Sequence, residues 1–254
     1  MLNRSKMATM STEVAEVSDQ EAVKEAAQAL RRSSPQEVLQ WGVGRFGNSF
    51  TLACSFGLED VVLVDMLFQL NPEIEIFYLD TDLLFAETHQ TRERLSKRYG
   101  KHFIRVVPEL SLKEQEEDYG ETLWKRDPHT CCAIRKVEPL RRFLSDYRAW
   151  CTGIRREQSP TRSQAETVEW DEIFQMAKLN PLAHWTIEEV WDYVHKNRVP
   201  FNPMHEQMYP SIGCIPCTQQ VRPGEDSRAG RWRGMSRTEC GLHQHQSGSL
   251  AGGK

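Results

Sequence analysis

The chain has 254 residues, enough for one large α/β domain or one domain with appendages. Its 39% hydrophobic and 27% charged content is that of a soluble globular protein. The net charge of −4 excludes bulk attraction to nucleic acid, and no apolar run approaches the roughly 18 residues of a membrane span.

Residues 1–12 read as disordered, and the N-terminal stretch lacks the continuous apolar core of a secretory signal. A cytoplasmic location is therefore expected, where cysteines serve more often as ligands or reactive thiols than in disulfides. From Glu13 to Arg32 the Val and Ala spacing predicts an amphipathic helix. Pro35 opens a second helix, PQEVLQWGVGRF, ended by Gly47. FTLACS is a short buried strand, SFGLED a turn and VVLVDMLFQL an apolar helix. IEIFYLD is a second strand, TDLLFAET turns into a helix reaching about Tyr99, and HFIRVVP is a third strand. The acidic stretch Glu109–Glu121 predicts a solvated helix, and one further helix covers KRDPHTCCAIRKVEPLRRFLSDY, with Pro128 near its start. RAWCTGI is a fourth strand, RREQSPTRSQ a polar loop and IFQMAKLNPL a fifth strand. Thr186 starts the helix HWTIEEVWDYVHKN, with Glu189 at capping-box spacing. The alternation predicts an α/β fold, a parallel-type sheet with flanking crossover helices. Beyond Arg198 the periodicity fades into loops. These changes divide the chain into a tail and helix (1–34), an α/β domain (35–220), a loop-rich, mobile C-terminal segment (221–245) and a disordered tail (246–254).

Three features carry chemistry. The first is the strand-turn-helix at SFGLED, whose Ser and Gly can offer N–H groups and a hydroxyl to a phosphate. It lacks the G-x4-G-K-[ST] pattern of a Walker loop, and an ordinary strand-to-helix turn is the competing reading. The end of the second strand, LDTD, could place Thr81 on the same ligand at the carboxyl edge of the sheet.

The second feature is the cysteine set. Of seven cysteines, Cys54 and Cys151 lie in apolar runs and read as buried side chains. Cys131 and Cys132 are adjacent, and Cys214 and Cys217 form a C-x2-C. Four thiolates can hold zinc or an iron–sulfur cluster. Adjacent side chains on a helix diverge by about 100°, which suits a cluster several ångströms across better than one small ion. Cys240, in the polar stretch RTECGLH near the end of the chain, reads as exposed and mobile.

The third feature is local charge. Residues 135–162 carry eight Lys/Arg against three Asp/Glu, and residues 222–243 carry five Arg against three, inside a chain that is acidic overall. Lys136 follows Cys132 by four residues, on the same face of the expected helix. Basic loops at the sheet edge that holds SFGLED and LDTD suggest a small anionic substrate. A merely solvated surface is the alternative.

CCAIRK, RREQSPTR, SIGCIPC and RTECGLH together resemble the assimilatory sulfonucleotide reductases. The four-cysteine set resembles the iron–sulfur-containing adenosine 5′-phosphosulfate (APS) reductase branch. The resemblance spans roughly residues 35–245 and implies an adenine-nucleotide α-hydrolase-like, Rossmann-related sheet. It further implies that Cys240 is the nucleophile and that Cys131, Cys132, Cys214 and Cys217 hold a [4Fe–4S] cluster. Ser55 and Gly57 would lie in the phosphate-type loop, which here reads SFGLED where related ATP pyrophosphatases carry SGGxDS. Leu79, Asp80 and Thr81 match the LDT that contacts the nucleotide, and Asp82 stands where the family usually carries Gly. Arg155, Arg156 and Arg162 match the arginine loop. Lys136, Arg228, Arg231 and His243 match the basic groups around the phosphosulfate. The implied activity is reduction of APS to sulfite and AMP through an S-sulfocysteine, as in sulfate assimilation and cysteine biosynthesis. The implied donor is a thioredoxin or glutaredoxin-type thiol. A homo-oligomer is compatible with the sequence. The rivals are reduction of 3′-phosphoadenosine 5′-phosphosulfate (PAPS) or of both nucleotides, a zinc-stabilised nucleotide-binding protein without turnover, and an ATP-using adenylating enzyme.

Overall fold

A computed structural model describes residues 18–235, 237 and 239–242. Ser18 and Glu21 form a capping box that starts α1 (Asp19–Ala29), and Ser34 with Glu37 does the same for α2 (Pro35–Phe46). Of the helix expected from Glu13, the described part starts at the Ser18 cap, and residues 13–17 lie outside the described residues.

Six strands form one sheet in the order β3-β2-β1-β4-β6-β5. They are β1 (Phe50–Ala53), β2 (Glu75–Leu79), β3 (Ile104–Val106), β4 (Ala149–Cys151), β5 (Val168–Asp171) and β6 (Met176–Leu179). Every pairing is parallel except β5 against β6. The antiparallel edge strand β5 is not expected from the sequence, where VEWD carries two acidic residues and no apolar run. Pairing recovers it: Glu169 lies opposite Lys178, and the two charges meet at 3.0 Å.

Helix α3 (Leu58–Leu70) is buried along most of its length, as its continuous apolar run requires. Asp65, one of its two buried carboxylates, accepts hydrogen bonds from Tyr99 at 2.5 Å, Gln69 at 2.6 Å and Tyr193 at 2.8 Å. The two tyrosine bonds tie α3 to α4 (Ala86–Tyr99) and α9 (Ile187–Asn197). The latter starts at the expected Thr186–Glu189 capping box.

The long helix expected over residues 125–147 is broken. After α5 (Leu112–Tyr119) come α6 (Leu123–Arg126), α7 (Pro128–Cys132), a π-turn (Ala133–Val137) and α8 (Glu138–Leu144). Asp127 causes the first break, since its carboxylate accepts from the N–H groups of His129 and Thr130 and caps α7. The π-turn is closed by the Glu138 N–H on the Ala133 carbonyl, and such insertions are frequent at functional sites.

Winding runs from β1 outward to β3 on one side and resumes at β4 on the other side of β1. The switch point therefore lies between β1 and β4, and their carboxyl ends open the crevice where such sheets bind ligands.

Candidate active site

A cavity of about 300 Å³ occupies that crevice. The turn after β1 forms its floor. Phe56 sits at φ +60°, a costly conformation for a non-glycine residue. Its ring is held inside by edge contacts with Tyr78 and Phe103 at 5.3 and 5.1 Å. The Ser55 N–H and hydroxyl both donate to the Asp60 carboxylate at 2.6 Å, which closes the turn onto the first turn of α3. Across the switch point, Gly153 leaves no room for a Cβ, which would strike the Asp60 carboxylate and lie 2.9 Å from the Glu59 Cβ. Close approach of the two strand ends depends on that glycine.

The turn after β2 forms the opposite wall. Asp82 takes φ +57°, the conformation for which glycine is the usual residue. Its carboxylate pairs with the buried Arg135 at 2.5 Å, and Arg135 also donates to the Thr81 carbonyl at 2.7 Å. Arg135 lies on the π-turn, so the exchange of Gly for Asp ties the nucleotide-type turn to the cysteine helix.

Beside this wall, Cys131, Cys132, Cys214 and Cys217 line one small cavity together with Lys136, Arg231 and Trp232. Thr81 Oγ1 lies 3.2 Å from Cys214 Sγ. Burial, then repulsion from the other three cysteines, pushes the Cys131 thiol up to about 12. Burial and the neighbouring Cys214 push Cys217 up to about 11. Cys131 and Cys217 ionise together only with cationic charge among them. Among the described residues no three His, Cys, Asp or Glu side chains close on a point as a single ion requires.

Cys240 contradicts its sequence reading. It is 8% exposed and packs with Cys132 and Trp232 inside the cleft. Its neighbour Leu242 packs on the apolar cluster that includes Phe77, Leu140 and Trp150. Cys240 is buried here because Glu239 before it and Leu242 after it each meet a partner in the cleft. Burial pushes the Cys240 thiol up. The Lys136 ammonium, the Leu242 N–H and Arg231 outweigh it, and the group sits below its ordinary value.

Residues 49–220 match the family model described as the phosphoadenosine phosphosulfate reductase domain. The chain belongs to this family. It is 45% identical over 223 residues to an adenosine 5′-phosphosulfate reductase of Halalkalibacterium halodurans, covering 87% of this chain and 96% of the relative. It is 47% identical to adenosine 5′-phosphosulfate reductase 1 of Bacillus subtilis, covering 82% of this chain and 89% of the relative. The crystal structure of a PAPS reductase from Candida auris superposes with a TM-score of 0.69 at 28% identity, covering 81% of this chain and 98% of that one. An FMN adenylyltransferase of Candida glabrata, at 16% identity and TM-score 0.56 over 82% of this chain and 69% of its own, shares the fold alone.

For a sulfonucleotide reductase fold, most residues expected from the sequence converge. Ser55, Gly57, Leu79, Thr81, Lys136, Arg155, Arg162, Arg228, Arg231 and Cys240 all line the cleft. Asp80 and Arg156 are not among its lining residues. Asp80 pairs with Arg105 at 2.7 Å, and Arg156 holds the Ala165 carbonyl at 2.6 Å and Glu166 at 3.1 Å. Arg155 reaches the cleft but already pairs with Glu59 at 2.9 Å and with Glu157. His243 lies outside the described residues.

Three residues missed in the sequence stand out. Trp232, at φ +48°, presents its ring to the guanidinium groups of Arg231 (4.5 Å), Arg237 (5.7 Å) and Arg228 (5.8 Å). Its signal was the arginine density around a lone tryptophan. Glu239 binds the arginine loop, as described below, and only its place beside Cys240 hinted at it. Asp60 is the third. Burial pushes its carboxyl up to about 6, against the pull of the Ser55 hydroxyl and N–H. Between the ordinary value of 3.8 and about 6 the folded state binds more protons than the unfolded chain. The carboxyl therefore stabilises the fold most in acid, and that contribution is lost as pH rises through about 6. Asp60→Asn is expected to melt above the wild type at pH ~7.5, by at most about 3 kcal/mol, with the gain gone by pH ~4. Thermal melts across that range check it, and a gain that grows toward acid would refute the assignment.

Proposed function

We propose that this chain is a thiol-dependent APS reductase. The observation that carries the reading is the burial of Cys240 in the sheet-edge cleft, against Cys132 and electrostatically coupled to Lys136 and Arg231. The 45–47% identity to proteins named adenosine 5′-phosphosulfate reductase supports APS as the substrate.

The Cys240 thiolate attacks the sulfate sulfur of APS. A bond forms from Sγ to sulfur, the bond from sulfur to the bridging oxygen breaks, and AMP leaves. Thiolate and sulfonucleotide are both anionic, so Lys136 and Arg231 offset their repulsion and stabilise charge gathering on the leaving phosphate. A thiol of a thioredoxin-type donor then attacks Sγ of the S-sulfocysteine and displaces sulfite. A second donor thiol resolves the mixed disulfide. The donor's two electrons reduce sulfur from sulfate to sulfite, and Cys240 returns as a thiol.

Cys131, Cys132, Cys214 and Cys217 would hold a [4Fe–4S] cluster. Their opening onto one shared cavity, with no three of the described groups closing on a point, favours a cluster over a single zinc ion. When bound, the cluster supplies fixed charge beside Lys136. Substrate electrons come from the thiol donor. A cytoplasmic setting fits a thiol-driven reaction, and no helix among the described residues is long and apolar enough to cross a membrane.

Incubation with 35S-labelled APS and no donor is expected to leave one label on the peptide carrying Cys240, released as sulfite by added thiol. A chain that carries no label there overturns the reading. Parallel kinetics with APS and PAPS are expected to favour APS.

A further inference from the structure

Cys240 is anchored on both sides. On one side Leu242 packs on the apolar cluster at the sheet edge. On the other, the Glu239 carboxylate reaches the arginine loop, far away in sequence. Its Oε1 accepts from Arg162 Nε at 2.7 Å, and its Oε2 accepts from Arg162 Nη2 at 2.9 Å and Arg228 Nη2 at 3.1 Å. Thr161 Oγ1 at 3.3 Å and Ser159 Oγ at 3.4 Å complete the set. The side chains of Glu239, Arg162 and Arg228 are 9%, 11% and 14% exposed. This is a two-pronged, largely desolvated guanidinium–carboxylate pair, the geometry that fixes direction as well as distance.

A surface ion pair of two flexible side chains would position nothing. Here one partner sits on a short 3₁₀ turn (Pro160–Arg162) that follows β4, and the other is bonded through its peptide to Cys240. Arg162 is itself braced by Gln158 at 2.6 Å. Removing one member of such a pair leaves the other charged and buried, so the arrangement holds until something replaces it.

We propose that Glu239 is a positioning residue: clamped by Arg162 and Arg228, it seats the Cys240 thiol in the cleft for sulfonyl transfer. The clamp rests on the reading of Cys240 as the nucleophile. Glu239 touches no reacting atom. Arg162, expected from the resemblance in the arginine loop, and Arg228, expected around the phosphosulfate, here direct charge onto Glu239. The clamp must also open, because a thiol donor cannot reach an S-sulfocysteine at the 8% exposure of Cys240. Sulfonyl transfer needs the pair closed, and sulfite release needs it broken.

The test is a double-mutant cycle on the cluster-loaded enzyme with Glu239→Gln, Arg162→Gln and the pair combined. Single-turnover formation of S-sulfonated Cys240 is followed by intact mass, and AMP affinity by calorimetry. Glu239→Gln is expected to slow sulfonation about 10- to 100-fold at saturating APS, the cost of a misplaced nucleophile. AMP affinity should stay within about threefold, since uniform ligand binding is untouched. Arg162→Gln should cost far less on top of Glu239→Gln than alone. Glu239→Asp, which keeps the charge, should recover part of the rate and gives the same reading if the Gln variant does not fold. A wild-type rate in Glu239→Gln overturns the clamp, as does an Arg162→Gln penalty of equal size in both backgrounds. A wild type that sulfonates no cysteine overturns the catalytic reading and the clamp with it. A wild type that sulfonates Cys240 beside an equally fast Glu239→Gln overturns the clamp alone.

Discussion

Cys240→Ser will lower turnover by about 10⁴-fold or more, with AMP binding and the visible absorbance of the proposed cluster retained. The substitution is close to isosteric, and the side chain it alters packs with Cys132 and Trp232 rather than at the centre of the sheet. What it removes is the proposed nucleophile, whose ionised form is favoured locally. A serine hydroxyl beside the same Lys136 remains protonated, so no adduct forms and the donor has nothing to reduce. The control lies in the same chain. Cys54 and Cys151 are buried in the sheet, and burial, followed by the nearby Asp60, pushes both thiols far above their ordinary value. Alanine at either position will leave sulfonation of Cys240 in place, and labelling by APS followed by peptide mass mapping separates the three. A Cys240→Ser variant within tenfold of the wild type would place the chemistry elsewhere.

The parts of the fold legible from sequence are those written in local periodicity. The strands β1 to β4 and β6, the turn after β1 and the Thr186 cap follow from apolar runs and capping residues over a few positions. Strand β5 does not, because Val168–Asp171 has no pattern of its own and exists through its pairing with Met176–Leu179. The expected helix through the cysteine pair is continuous because Pro128 reads only as a residue near its start, and the π-turn has no sequence signal. The site divides in the same way. Residue types with few structural uses, such as adjacent cysteines, a C-x2-C and clustered arginines, could be assigned before any coordinates. Whether each charge faces the cleft could not. Arg156 and Arg162 sit in one short motif, yet one turns to Glu166 and the other to Glu239. The exposure expected for Cys240 followed from its polar neighbours. Its burial comes from Glu239, which finds arginines distant in sequence, and from Leu242, which finds an apolar surface.

Lys136→Ala will lower kcat/KM by about 10²- to 10³-fold, chiefly through kcat, while the absorbance near ~400 nm of the proposed cluster stays. Lys136 stands on the π-turn between the two cavities and lines both, a position shared with Arg231 and Trp232. Burial alone would pull its pKa down. The charges of Cys214, Cys240 and Cys132 outweigh burial and hold it above the ordinary lysine value. No carboxylate among the described residues pairs with it or with Arg231, whereas Arg155, Arg162 and Arg228 are all paired. Lys136 and Arg231 are therefore the cleft cations most available to a bound sulfonucleotide, and Arg231 is already held by Ser211 and the Ile212 carbonyl. Its benefit grows as negative charge builds on the bridging oxygen, so the loss falls on the transition state more than on ground-state binding. Lys136→Met keeps the volume of the stem and should show the same loss, which separates charge from packing. Lys136→Arg should not restore the rate fully, because a planar fork does not fit the space of a compact ammonium. A loss confined to KM in the Ala and Met variants would make Lys136 a binding residue only. Bleached protein would mean that its positive charge is needed to hold the four thiolates together.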